Sequence, residues 1–290
     1  MFLWKDTLFF KKKSNKLLTY SIAGGNDPVM RDTVKLALEQ KLGRFLVFGS
    51  GDLDYALPDV EVFQTQSDEE SVLEAVKAIR LGQADVLVKG FVPTATILHA
   101  VLAKENKLRT GKLLSQVALF EMPSYPKPLI VTDCAMNIAP NLEEKTQITR
   151  NAIEAARAIG IEKPNVVFLS AVEKVTDKMP STVHAKQLMD FMAEVYPELN
   201  AAGPLALDAA ISKEAALHKG ITNPAAGQAD ILVVPNIETG NVLYKALVYF
   251  GQAKVGSCIV GGAKVPIVIS SRSDTKENKL RSLLLTGRMV

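Results

Sequence analysis

The chain has 290 residues, 48% of them apolar and 22% charged, with 34 basic against 31 acidic side chains for a formal net charge of +3. This mix excludes a disordered chain and describes a soluble globular protein with room for two domains or one large α/β unit. A small positive surplus with no Lys/Arg stripe excludes a basic nucleic-acid binder. No apolar run reaches the roughly 18 residues that a membrane span needs. Two cysteines, Cys134 and Cys258, are too few for a disulfide framework or a Cys-rich zinc site, and unpaired thiols fit a reducing cytoplasm. The three histidines, His99, His184 and His218, are too dispersed for a metal motif, so no metal is expected.

Taken from the start, residues 1–16 read as an amphipathic or frayed extension. Lys5 and Asp6 interrupt the apolar stretch, which precedes the basic cluster, the reverse of a signal peptide. Short apolar runs then alternate with helical periods. The runs are Leu17–Ile22, Phe45–Phe48, Asp85–Val88, Val117–Phe120, Leu129–Thr132, Val166–Leu169, Ile231–Val234, Cys258–Val260 and Val265–Ile269. Consecutive apolar, β-branched positions indicate strands covered on both faces, hence a largely parallel sheet.

The helices between them have legible ends. Asp27-Pro28 supplies an N-cap and a first-position proline, and Gly43 is placed to close that helix. Ser67/Glu70 and Asn141/Glu144 have capping-box spacing. A helix over 239–250 is expected to turn Val242, Leu243, Ala246, Leu247 and Phe250 inward. His184 and His218 read as exposed helix residues, and His99 as a half-buried structural one. Strand–helix alternation throughout predicts doubly wound α/β architecture, with too many strands for one compact sheet and therefore two α/β lobes. The proline-rich segment 123–128 (PSYPKP) is the candidate boundary.

In open α/β sheets ligands bind beyond the carboxyl ends of strands. The loop after the last run, Ser270-Ser271-Arg272-Ser273-Asp274, gathers three hydroxyls and a guanidinium before a helix through Leu280, Leu283 and Leu284. Two readings stand for it: an anion site gripped by Arg272, or a plain helix cap in which Asp274 and Glu277 form a capping box. AGGND at 23–27 lacks the third glycine of a dinucleotide fingerprint, and Walker and GxSxG signatures are absent. Cys134 reads as a buried small hydrophobe rather than a nucleophile, and Asp133 as a polar member of a cleft.

Seven blocks occur in order: LTYSIAGGNDP, ADVLVKGFVPTATILHAVL, LRTGKLLSQVALFEMP, VTDCAMNIAPNLEEKTQI, GPLALDAAIS, ADILVVPNIETGNVLYKALVYF and VGGAKVPIVISSRSDTKENKL. Together they resemble the phosphate acetyltransferase/phosphate butyryltransferase family over about residues 17–290, closer to its butyryl and branched-chain branch. The resemblance implies two doubly wound α/β domains with a cleft between them, an architecture like that of isocitrate/isopropylmalate dehydrogenase. The first domain would be 1–124 plus 265–290 and the second 125–264. It implies a cytoplasmic homodimer or higher homo-oligomer that interconverts acyl-CoA plus phosphate with acyl phosphate plus coenzyme A. Coenzyme A is there a substrate; no cofactor, metal, membrane or nucleic-acid partner is implied.

Carried over residue by residue, the resemblance gives Ser271 the thiol or oxyanion and Arg272 the phosphoryl group, with Ser273 beside them. Asn278 stands where the acetyltransferase pattern has an aspartate proposed as base. An amide accepts no proton, so Glu277, Asp274 or no protein base takes that part. A family arginine falls at His99, and Arg109 in LRTGK matches another. Thr94 and Thr96 either offer hydroxyls to phosphate or cap their helix; Asp133 joins the coenzyme A and phosphate contacts. Two rival readings remain: a metal- and NAD-dependent decarboxylating dehydrogenase of similar fold, and a non-catalytic acyl-CoA or phosphate binder.

Overall fold

A computed structural model describes residues 17–271 and 274–290. The 1–16 extension and two predicted site residues, Arg272 and Ser273, lie outside the described residues. The chain folds as two compact units, one from the residues up to Lys112 together with Gly256–Val290, the other from Leu113–Val255.

In the first unit, β1 (Leu18–Ala23), β2 (Gly43–Gly49), β3 (Val60–Gln64), β4 (Val86–Lys89) and β11 (Ile267–Ile269) run parallel in the order β3-β2-β1-β4-β11. β10 (Lys254–Ala263) lies antiparallel beside β11. Helices α1 (Pro28–Glu39), α2 (Asp68–Arg80), α3 (Thr94–Leu102) and α9 (Lys276–Thr286) belong to this unit. In the second, β6 (Leu129–Thr132), β9 (Ile231–Val233), β7 (Val166–Leu169) and β8 (Ala201–Leu205) are parallel in that spatial order, and β5 (Arg109–Glu121) pairs antiparallel with β6. Its helices are α4 (Leu142–Ala158), α5 (Pro180–Val195), α6 (Leu207–Ile211), α7 (Lys213–His218) and α8 (Ile237–Tyr249).

The chain passes between units inside β5, after Lys112, and inside β10, after Val255. The sequence put these crossings at 124/125 and 264/265. The PSYPKP segment is instead the turn from β5 into β6, where prolines suit a tight connection that needs no ladder donors.

The apolar runs became strands because they are buried on both faces. Every residue of β4, β6, β7 and β9 is buried. Tyr20 stacks on Phe45 from the neighbouring strand with ring centroids 5.2 Å apart. Each such large side chain taken from water contributes roughly 1.5–3 kcal/mol. In the second unit Phe120, Val131, Val167 and Leu232 form the centre of the core.

Several local expectations differ from the structure. Gly43 does not close α1; it opens β2, where a Cβ would collide with the carbonyl of Leu18. Around Ser67, the serine accepts from Glu70 N–H, but the glutamate reaches back to Gln66 rather than to Ser67. Asn141 and Glu144 do form the full box. On α8 the buried residues are Gly240 and Tyr244, while Val242 and Phe250 are exposed. That helix is apolar around most of its circumference, and its period does not say which stripe meets the sheet. The N-cap of α9 is Thr275, not Asp274: Thr275 accepts from Asn278 N–H.

Candidate active site

In the first unit the chain moves outward from β1 through β2 to β3 and then returns to the other side of β1 with β4. This reversal is the topological switch point at which α/β sheets hold ligands, outside the carboxyl ends of the strands. Loops follow the adjacent strands β1, β4 and β11 there. The first two are held together by backbone: Gly90 N–H donates to Ala23 O at 2.8 Å and Phe91 N–H to Gly24 O at 2.7 Å. A Cβ at Gly90 would fall on the Gly24 carbonyl, so only glycine permits this approach.

The third loop carries Ser270 and Ser271. Ser271 N–H donates to the Asp274 carboxylate at 2.7 Å, and Asp274 N–H returns to Ser271 O at 3.1 Å. These two bonds clamp the segment on either side of Arg272 and Ser273 in sequence. Beneath it lies Lys279, only 3% exposed. Its ammonium donates to Ser270 Oγ at 3.1 Å and Ser271 O at 3.3 Å, and stands 3.8 Å from Asp27 Oδ2. Asp27 in turn caps α1 by accepting from Val29 N–H. One buried cation therefore ties the start of α1 to the Ser271 loop. A second buried lysine, Lys89, ends β4 and donates to Gly90 O at 3.3 Å.

The predicted residues of this unit fall as follows. Ser271 is half-buried in the loop just described. Thr94 is exposed and Thr96 half-buried in the first turn of α3, and neither caps it: the N-cap is Pro93, which offers no side-chain bond. His99 is exposed rather than half-buried. Arg109 is exposed at the start of β5. Among the described residues no side-chain hydrogen bond joins His99 or Arg109 to the Ser271 loop. Glu277 is exposed in the first turn of α9, and Asn278 Oδ1 accepts from Arg281 Nη1 at 2.8 Å.

In the second unit Asp133 follows β6, 3% exposed. Its Oδ1 accepts from the N–H groups of Ala135 (2.9 Å) and Met136 (3.0 Å), and its Oδ2 from Asn137 Nδ2 at 2.6 Å. Burial pushes its carboxyl above the usual carboxylate range, against the downward pull of these bonds. The carboxylate thus organises its own loop. The neighbouring Cys134 thiol is pushed up by burial and by the Asp133 charge, which leaves it no thiolate character.

Sequence reading missed Lys89 and Lys279. Each carries one available signal: Lys89 closes an otherwise apolar strand, and Lys279 sits on the apolar face of α9 beside Leu280 and Leu283, both buried. Among the described residues no group of three or more His, Cys, Asp or Glu is placed to hold a metal ion.

Comparison with known proteins gives this geometry a family. Residues 58–287 match the family model described as phosphate acetyl/butaryl transferase. The chain is 43% identical over 289 residues to a probable phosphate butyryltransferase of Bacillus subtilis (strain 168), covering 96% of this chain and 95% of that one. It is 39% identical to a phosphate butyryltransferase of Clostridium acetobutylicum, covering 97% and 96%. The crystal structure of a branched-chain phosphotransacylase from Enterococcus faecalis V583 superimposes with a TM-score of 0.86 at 41% identity, covering 94% of this chain and 99% of that one. The chain belongs to the phosphate acetyl/butaryl transferase family, and with it to the acyltransferase enzymes.

Proposed function

We propose that this protein interconverts a short or branched-chain acyl-CoA plus phosphate with the acyl phosphate plus coenzyme A. The observation that carries the reading is the match over residues 58–287, which includes the Ser271 loop and the lysine beneath it. The same match favours acyl transfer over the dehydrogenase and the non-catalytic binder.

In the acyl-phosphate direction, an oxygen of phosphate attacks the thioester carbonyl. A C–O bond forms, the C–S bond breaks through a tetrahedral oxyanion, and the thiolate leaves. The reverse reaction expels phosphate. Both directions need donors for a multiply charged anion and a developing oxyanion. We assign Ser271 Oγ to the oxyanion or thiol and Arg272 to the phosphoryl oxygens, with Ser273, Thr94, Thr96, Arg109 and His99 as further anion contacts. Lys279 acts as a positioning residue, since its bonds go to the loop. Asn278 accepts no proton, so the exposed Glu277 is the assigned base where one is needed. Asp133 shapes a loop and reaches substrate only through it. The chain acts as a homodimer or higher homo-oligomer in the cytoplasm, in keeping with its two free, buried cysteines.

The test is thiol release from butyryl-CoA with and without phosphate. Phosphate-dependent release is expected; its absence with every acyl group of two to five carbons eliminates the reading.

A further inference from the structure

Helix α8 is apolar on two sides, and only one of them is used within the chain. The inner side is committed to the second unit. Tyr244 meets Phe120 edge-on with ring centroids 5.2 Å apart. Gly240 lies so close to the Asp133 loop that a Cβ would stand 2.5 Å from Asp133 O, and Asn241 Nδ2 donates to Cys134 O at 3.4 Å. The outer side carries Val242, 68% exposed, Tyr249, 64%, and Phe250, 89%. Beside the start of the helix Ile138 is also 68% exposed, and its carbonyl accepts from Ile237 N–H at 2.9 Å. At 150–250 Å² for a whole aromatic side chain, Tyr249 and Phe250 alone leave roughly 300 Å² in water. A patch of that size marks an interaction site, and aromatic residues are enriched in the buried centres of such sites.

The stripe is complementary to itself about Val242. One acid and one base flank it: Glu238, four residues before Val242, and Lys245, three residues after. Seven residues apart, they share one edge of the helix. Neither has an ion-pair partner among the described residues; Lys245 Nζ lies over the Tyr244 ring, 5.3 Å from its centroid. A two-fold axis at Val242 that sets two α8 helices antiparallel brings each Glu238 level with Lys245 of the partner subunit, to within about 1.5 Å along the helix at the α-helical rise. The same axis sets the two Val242 side chains against each other. It also carries Tyr249 and Phe250, seven and eight residues on, to the start of the facing helix, where Ile138 of the partner subunit lies. A match between the two ends of one surface is what an isologous contact requires; a partner of other chemistry requires none.

We propose that a second copy of this chain docks on the outer face of α8, antiparallel about a two-fold axis at Val242, with Glu238 and Lys245 paired across it. The inference deepens the homo-oligomeric part of the reading above and rests on it; it does not rest on acyl transfer. Because the inner side of the same helix abuts Asp133 and Cys134, the contact braces the Asp133 loop from behind.

The test is analytical ultracentrifugation of the full chain, fluorescently labelled and diluted from micromolar to nanomolar concentration. Wild type is expected as a dimer. Val242→Glu sets two carboxylates against each other on the axis and is expected to raise the dissociation constant at least about thirtyfold, the weight of an interface hot spot. Glu238→Lys and Lys245→Glu each set like charges across the contact and are expected to weaken it about tenfold. The double variant restores opposite charges in reversed order and is expected to return to within about threefold of wild type, a recovery that misfolding cannot produce. Should Val242→Glu not fold, the charge set decides. A dimer that Val242→Glu leaves unchanged, or a double variant no tighter than the weaker single one, overturns the proposal and leaves the homo-oligomer to another face. A wild type that stays monomeric at micromolar concentration overturns both. Thiol release is measured separately, so neither result touches the acyl-transfer reading.

Discussion

Replacing Asp133 by Asn changes shape by almost nothing and reverses one hydrogen bond. The amide oxygen can keep the Ala135 and Met136 N–H groups that now meet Oδ1. Its NH2 then faces Asn137 Nδ2, which now donates to Oδ2 at 2.6 Å. Asn137 cannot escape by turning its amide, because the same Nδ2 also donates to Leu114 O at 2.9 Å, and turning would oppose two oxygens there. The loss is one charge-assisted hydrogen bond, about 1.5–3 kcal/mol, offset in part by no longer burying a carboxylate. A net destabilisation of about 1–2 kcal/mol is expected from urea unfolding at neutral pH. The pH dependence has a definite sign. Asp133 titrates higher in the folded than in the unfolded chain, so the folded state binds the proton first. Wild type gains stability relative to the Asn variant as pH falls through the raised folded value toward the ordinary 3.8, and the gap between them widens. A variant as stable as wild type, or a gap that narrows on acidification, refutes the account of this loop.

Three further outcomes follow from the first unit. Lys279→Met removes both donors from the Ser270–Ser271 segment; steady-state kinetics should show the KM for phosphate raised about tenfold with a smaller change for acyl-CoA, whereas equal loss for both substrates points to general misfolding. Arg272→Ala should lower kcat/KM at least about tenfold, the weight of one charge-assisted contact in a transition state, and wild-type kinetics remove Arg272 from the mechanism. Gly90→Ala places a Cβ on the Gly24 carbonyl, a backbone atom that cannot swing aside; a loss of about 1–3 kcal/mol by thermal unfolding is expected, and a neutral substitution contradicts the close approach of these loops.

Most strands were legible because continuous apolar runs declare burial on both faces. Those that escaped did so for physical reasons. β3 reads VEVFQ and is largely exposed at the edge of its sheet, so no core demand shaped it. β8 reads AAGPL, whose small residues, glycine and proline resemble a loop; it earns its strand by pairing with β7. The Asp27 cap and the Asn141 box were visible because both are made by neighbours in sequence. Lys279 beneath Ser271, and Lys145 against His184, were not. Their partners lie far away along the chain for Asp27 and His184, and a lysine's place inside a fold is set by contacts that local spacing does not carry. The Ser271 loop was recognisable as chemistry, while what holds it in place became visible only in three dimensions.

The second unit is one continuous stretch, while the first is opened by it and closed again only near the C-terminus. β11 is an interior strand of the first unit, seated between β4 and β10, yet among the described residues it follows every other strand in the chain. During synthesis the flank of β4 waits bare until β11 has left the ribosome. The serine turn that follows β11 is thus made after the whole of the second unit, and a chain clipped before β11 leaves β4 without its neighbour.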